Sequence, residues 1–158
     1  MIELAKKDDI LALVEIIDQA KVYLRSKGVN QWQDGYPNSD TLLEDISLNR
    51  LYVLKDDDRI IGLFAIVDYE KTYNHIEGEW FSDERYLAIH RVAVHNDYKG
   101  HNFVKEIFDY AKTLCPYLRI DTHVDNLSMQ RALKKNGFIY RGIIYLENGD
   151  PRLAFDYR

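Results

Sequence analysis

The sequence predicts an α+β fold, a mixed and mostly antiparallel central sheet with helices on both faces and one parallel strand pair, layered α/β/α. Three observations carry this. Apolar residues recur at helical spacing in well-separated stretches, at 10–24, 103–111 and 126–136. Short apolar or alternating runs bounded by turn formers lie around them. The central run, residues 87–94, leads through a helix to a strand at 117–123, an order that joins parallel neighbours by a crossover.

Taken in order, Ile10, Leu13, Val14, Ile17, Ala20 and Leu24 form a helical stripe with an acidic cap at Asp8 or Asp9 and Gly28 after it. Residues 29–37 have neither period and place Trp32 and Tyr36 beside Gln31 and Gln33, a loop with the composition of a binding surface. A surface loop anchored by one buried Trp fits the same residues equally well. Asn38-Ser39 caps a short helix carrying Leu42, Leu43 and Ile46. Leu51–Leu54 and Arg59–Tyr69 read as strands joined at Asp56-Asp57-Asp58. Consecutive Asp side chains splay apart, so a solvated hairpin turn is predicted there rather than a metal site. Glu70–Glu84 is a polar connection over the surface, with Trp80 and Phe81 in it.

Phe103, Val104, Ile107, Phe108 and Ala111 make the next helical stripe, and Tyr117–His123 alternates as a strand. A short helix over 126–136 closes at Gly137, and Phe138–Leu146 and Leu153–Tyr157 form a terminal hairpin. No internal repeat interrupts the pattern, and one domain over residues 1–158 is expected.

A chain of 158 residues with 46% hydrophobic content buries one good core. Its net charge of -5 argues against nucleic acid as a charge-driven partner. No cationic segment followed by an apolar run opens the sequence and nowhere do eighteen apolar residues adjoin, so a cytoplasmic protein with no membrane partner is expected. The single cysteine, Cys115, has no internal disulfide partner, and the five histidines lack metal-ligand spacing, so no metal is expected. Phosphate-loop, dinucleotide-fingerprint, serine-nucleophile and His-Glu-x-x-His patterns are all missing from the sequence.

The stretch around which the chain is organised is Leu87-Ala-Ile-His-Arg-Val-Ala-Val94, then His95-Asn-Asp-Tyr-Lys-Gly-His-Asn-Phe-Val104. A strand runs into a polar turn and a helix start, where unpaired N–H groups and the helix dipole suit a phosphate. Lys99, Lys105 and Gly100 strengthen that reading. The arrangement resembles the acyl-CoA-binding segment of the GNAT superfamily of N-acyltransferases. Asp121-Thr-His-x-x-Asn126-x-x-Met129-x-x-x-Leu133-x-Lys-x-Gly137-Phe138-x-x-x-Gly142 is similar to the family segment that flanks the pantetheine arm. The two stretches cover residues 87–142.

The resemblance implies acetyl-CoA as co-substrate, held by Val92, Val94, Lys99, Gly100, His101, Asn102, Phe103 and Val104, with Asn126 and Met129 along its arm. It implies direct acetyl transfer in a ternary complex to a primary amine of a small molecule or peptide, by a monomer or homodimer. It places Gln31, Trp32, Gln33 and Tyr36 over the acceptor, because the loop after the first helix closes there in that fold. Lys99 falls on the first position of the family's turn, Asn102 on its first glycine and Val104 on its last Gly/Ala. Asn tolerates positive φ, whereas Val104 adds a β-branched side chain where the family keeps the backbone bare. Leu133 stands where many members carry the Tyr that protonates the departing thiolate.

His90 lies where one branch of the family has a histidine proposed as base, and an imidazole suits that task near neutral pH. A histidine held by hydrogen bonds within the sheet is the alternative. Strand alternation would put His90 on one face with Val92 and Val94, and Arg91 opposite as a structural residue. Asp121 and His123 are further proton carriers or partners of Arg91 or Arg119. Two readings from other classes remain: a non-catalytic acyl-CoA-binding or sensor protein, and a nucleotide-binding module, the latter without a Walker Lys-Ser/Thr pair.

Overall fold

The computed structural model describes residues 1–158. The chain runs β1 (Ile2–Leu4), α1 (Ile10–Ser26), α2 (Ser39–Ser47), β2 (Leu51–Asp56), β3 (Arg59–Val67), β4 (Glu77–Gly78), β5 (Leu87–Val94), α3 (Phe103–Leu114), β6 (Leu118–Thr122), α4 (Leu127–Lys135), β7 (Ile139–Tyr145) and β8 (Pro151–Tyr157). The strands form one sheet in the order β1-β2-β3-β5-β6-β8-β7-β4, in which β5 and β6 are the parallel pair. This is the mixed, mostly antiparallel sheet that the sequence predicts.

Helical stripes decide the layers. Leu13, Ile16 and Ile17 of α1 and Leu42 of α2 are buried against Val53, Leu63 and Ala93 on one face. Ile107, Phe108 and Ala111 of α3 and Leu133 of α4 are buried against Phe64, Ile89, Ile120 and Phe155 on the other. Each buried Val, Leu, Ile or Phe side chain among them contributes about 1.5–3 kcal/mol, so the two clusters hold the layers together. Asn38 caps α2 by accepting from Thr41 N–H at 3.1 Å.

Strands β1 and β4, of three and two residues, were not predicted because runs so short show no period. The Glu70–Glu84 connection also does more than the sequence suggests. It carries Tyr73 and Trp80 into a third buried cluster with Ala88, Ile144 and Ala154. Its edge strand β4 meets β7 through Gly78 and Gly142. A Cβ at Gly142, where φ is 150°, would lie 2.2 Å from the Glu77 carbonyl oxygen, so this approach requires glycine.

Two irregularities of β5 position everything that follows. First, it pairs with β6 only through Leu87–Leu118 and Ala88–Arg119, and beyond them the strands part. Second, Ala65 of β3 faces His90 while Leu63 faces Ala93, so β5 takes three steps where β3 takes two. The extra residue is a β-bulge with Arg91 at φ 56°. It shifts the alternation: Ile89, Val92 and Val94 pack with the α3 cluster and Ala93 with the α1 cluster. His90 therefore shares the side of Ala88 and Ala93, and the expectation that it faces the same way as Val92 and Val94 is corrected. Arg91 is not turned to the opposite face either. It reaches Asp45 of α2, on the α1 side.

Asp45 is fully buried and accepts from Arg91 Nε at 2.6 Å, Arg91 Nη2 at 2.8 Å and Arg50 Nε at 2.7 Å. Removing one member of such a buried ion group leaves uncompensated charge. Asp45→Ala is expected to lower unfolding stability by about 3–5 kcal/mol in urea titrations. A loss below about 1 kcal/mol, the range of exposed pairs, would show that the clamp does not hold the bulge.

Candidate functional site

Parting of β5 from β6 opens a cleft of about 1070 Å³ whose walls include both strand ends, the 98–104 turn, α4 and the loop after α1. The free edge of β5 faces it. His95 N–H donates to Ile61 O at 2.7 Å on the β3 side, so strand alternation turns the Val94 N–H toward the cleft.

At one end lies the turn into α3. Gly100 and Asn102 adopt positive φ, 84° and 62°, as a tight turn requires and as these two residue types best allow. The backbone N–H groups of residues 100–104 donate to no other group of the protein. Four of those five residues, Gly100, Asn102, Phe103 and Val104, line the cleft. A row of unpaired donors at the start of a twelve-residue helix fits an anionic diphosphate. Lys99 lines the cleft as well, with its Nζ 3.7 Å from the centre of the Tyr23 ring and its pKa lowered by burial. Lys135 of α4, which stands in the second motif, and Arg131, which does not, add positive charge. His101 lies outside the lining, its ring 6.2 Å from that of Phe103.

Across the cleft, Gln31, Trp32 and Tyr36 line the wall contributed by the loop. Trp32 adopts φ 63° and also packs against the α1 cluster, so it is at once lining and anchor. Tyr36 Oη accepts from Arg91 Nη1 at 2.5 Å, which ties the loop to the bulge. Gln31 Oε1 accepts from Asn126 Nδ2 at 3.2 Å, and Asn126 Oδ1 accepts from Met129 N–H at 3.2 Å, so Asn126 caps α4 and links both walls. Gln33 turns back onto α1, donating to Lys21 O at 3.1 Å, and does not line the cleft.

His90, Val92, Val94, Asp121, Asn126 and Met129 all line the cleft. His90 Nε2 lies 3.0 Å from Glu70 Oε1, but off the line of its N–H, and this buried nitrogen has no aligned hydrogen-bond partner. Glu70 Oε2 accepts from Thr72 N–H and Thr72 Oγ1, both at 3.1 Å. Contact with His90, followed by the Thr72 bonds, outweighs burial and holds the Glu70 pKa at about 2. Asp121 Oδ2 accepts from Tyr73 Oη at 2.6 Å, and burial pushes the Tyr73 hydroxyl well above its usual range, so it stays a donor. Neither candidate arginine is Asp121's partner: Arg91 is clamped by Asp45, and Arg119 lies between the Trp80 and Tyr86 rings at 4.3 and 4.2 Å. His123 stands outside the lining. Its Nδ1 accepts from Asp125 N–H at 3.0 Å, and burial, then Arg152, lower its pKa.

Glu70, Tyr73 and Arg152 escaped the sequence reading. Glu70 and Tyr73 sit in a connection without periodicity, and Arg152 reads as an ordinary polar member of an edge hairpin. No metal-binding group of three or more His, Cys, Asp or Glu side chains is present, and no helix is long and apolar enough to cross a membrane.

Comparison with known proteins puts these features in context. The acetyltransferase (GNAT) family model matches residues 14–138. A GNAT-family acetyltransferase structure from Streptococcus agalactiae is 32% identical with a TM-score of 0.93, covering 99% of this chain and 94% of that one. A GNAT-family acetyltransferase from Listeria monocytogenes, 18% identical with a TM-score of 0.73 over 99% and 92% of the two chains, shares the fold. So does a Salmonella typhimurium structure that holds its cofactor acetyl-CoA, 15% identical with a TM-score of 0.69 over 100% and 92%. Among curated proteins no sequence matches. With a family model over most of its length and a close structural relative along nearly all of it, the chain belongs to the GNAT acetyltransferase family.

Proposed function

We propose that the protein transfers an acetyl group from acetyl-CoA directly to a primary amine of a small molecule or peptide, both substrates being held in one ternary complex. The observation that carries this reading is the layout of the cleft. Unpaired N–H groups at 100–104 stand at one end, and the His90–Glu70 pair lines the same cleft as Gln31, Trp32 and Tyr36 of the loop after α1.

Bound acetyl-CoA supplies the activated acetyl group as a thioester. The N–H groups of residues 100–104 hold its diphosphate, Asn126 and Met129 border its arm, and the Val94 N–H is placed to polarise the acetyl carbonyl. Attack requires a neutral amine, and His90 is the imidazole on the acceptor side of β5 that accepts the proton. Glu70 keeps its charge from ordinary pH down to about 2 and stands against the imidazolium that results. The new N–C bond forms as the C–S bond breaks. Leu133 is fully buried and offers no proton, so water protonates the leaving thiolate. Asp121, bonded to Tyr73, is a polar wall of the same pocket. Gln31, Trp32 and Tyr36 bound the acceptor.

Release of free thiol from acetyl-CoA across a panel of amines tests the reading directly. Amine-dependent release is expected. CoA binding with no release for any amine would favour the sensor function instead.

His90→Gln is expected to lower kcat by about a hundredfold or more while CoA affinity is kept. A lowered melting temperature with unchanged turnover would mark His90 as structural.

Val104 lines the cofactor end of the cleft next to the N–H row. Val104→Ala uncovers the backbone and is expected to tighten CoA binding in calorimetry. Weaker binding would show that the side chain supports the cofactor rather than crowding it.

A further inference from the structure

Arg152 is 7% exposed, yet no carboxylate lies within ion-pair distance of it. The other enclosed guanidinium groups of the chain have more partners within the protein. Arg119 is stacked between Trp80 and Tyr86 and donates to Ser82 O at 2.7 Å. Arg91, nearly as buried in its side chain, is clamped by Asp45. Arg152 has one bond, from Nη1 to the carbonyl of the preceding Pro151 at 2.9 Å. Its Nε and Nη2 are not sealed in. The enclosed side-chain atoms without a partner are His90 Nε2 and Thr122 Oγ1 alone. Arg152 lines the cleft, so its free N–H groups open there.

Its place in the sheet puts it in the acceptor pocket. Ala154 pairs with Asp121 and belongs to the cluster of Tyr73, whose hydroxyl bonds Asp121 and whose ring lies 6.1 Å from that of His90. Arg152, two residues from Ala154, points to the same side of β8. Neither nearby acid forms an ion pair with it: Asp121 accepts from the Tyr73 hydroxyl at 2.6 Å, and Asp150 accepts from the Asn148 amide at 3.3 Å.

The open N–H groups of Arg152 have no counter-charge within the protein, and its planar fork matches a carboxylate in two-bond geometry. We propose that Arg152 binds a carboxylate of the acceptor, so that the substrate is an amino acid whose amine faces His90 and Glu70 and whose carboxylate faces Arg152. The pocket is then complementary at both ends. Glu70 attracts the ammonium form on arrival and repels the carboxylate, which fixes the orientation of a zwitterion. This inference rests on the acetyl-transfer reading above and adds the class of acceptor.

The test compares amino acids with their carboxamides and with the corresponding decarboxylated amines, by thiol release, in the parent protein and in Arg152→Gln and Arg152→Lys. The parent is expected to prefer the acid over the amide by roughly 10- to 100-fold in kcat/KM. Arg152→Gln is expected to lose that preference through acceptor KM, and Arg152→Lys to recover part of it. Equal use of acid and amide by the parent, or an unchanged preference in Arg152→Gln, overturns the assignment. If no amine gives thiol release, the acetyl-transfer reading falls, and calorimetry with N-acetylated amino acids against their amides still decides Arg152. Binding of the acids by the parent and not by Arg152→Gln supports it, and no difference refutes it. A structural role is separated by Arg152→Met. Loss of a charge without a counter-charge in the protein leaves the melting temperature equal or higher, whereas a marked drop would mean that the arginine serves the fold.

Discussion

One extra residue in β5, held in place by Asp45, is the constraint on which the rest depends. The bulge at Arg91 changes which side of the sheet each later residue faces, so a single strand presents His90 to one side and Val92 and Val94 to the other. Its positive φ costs energy for a non-glycine residue, and the Arg91–Asp45 pair together with the bond to Tyr36 offsets that cost. The same contacts tie α2, the loop after α1 and the strand into one unit. The geometry of the cleft wall formed by the loop after α1 and fold stability are thereby coupled through Arg91.

Parting of the parallel pair supplies the space that the bulge then equips. Only two residue pairs join β5 to β6, and the unpaired strand edges beyond them carry polar backbone groups that would be costly to bury without partners. In a cleft they meet solvent or ligand. Charge is distributed along it in sequence: unpaired N–H groups with Lys99, Arg131 and Lys135 toward α3 and α4, a carboxylate and imidazole in the middle, and the unpaired Arg152 on the hairpin side. In the proposed reaction each of these features would face a different part of the two-substrate complex.

Most of the architecture was legible in the sequence because it rests on periodicity. The stripe from Ile10 to Leu24, the Asn38 cap, the crossover from β5 to β6 and the turn glycines all express local rules. The positive φ of Asn102 also follows from residue type. What stayed hidden depends on register and on long-range pairing. Alternation placed His90 beside Val94, and only the pairing with β3 reveals the inserted residue. Glu70 and Tyr73 lie in a polar stretch whose path over the sheet is set by Trp80 and by the glycine contact between β4 and β7. The isolation of Arg152 is a statement about absent neighbours, which no local pattern encodes. Gln33 and His123 show the converse: residues of the right type in the right segment whose side chains turn away from the cleft.

The central claim is that the bulged strand divides the cleft, with its cofactor contacts in the backbone of residues 94 and 100–104 and its acceptor contacts on the His90 side. Backbone amide NMR of the parent protein during titration with CoA tests this most directly. The account predicts that the largest shifts fall at Val94 and at the amides from Gly100 to Val104, with the His90 ring signals little changed until an acceptor is added. Shifts centred on Glu70–Glu84 or on the Arg152 hairpin, with residues 100–104 unmoved at saturation, would contradict it.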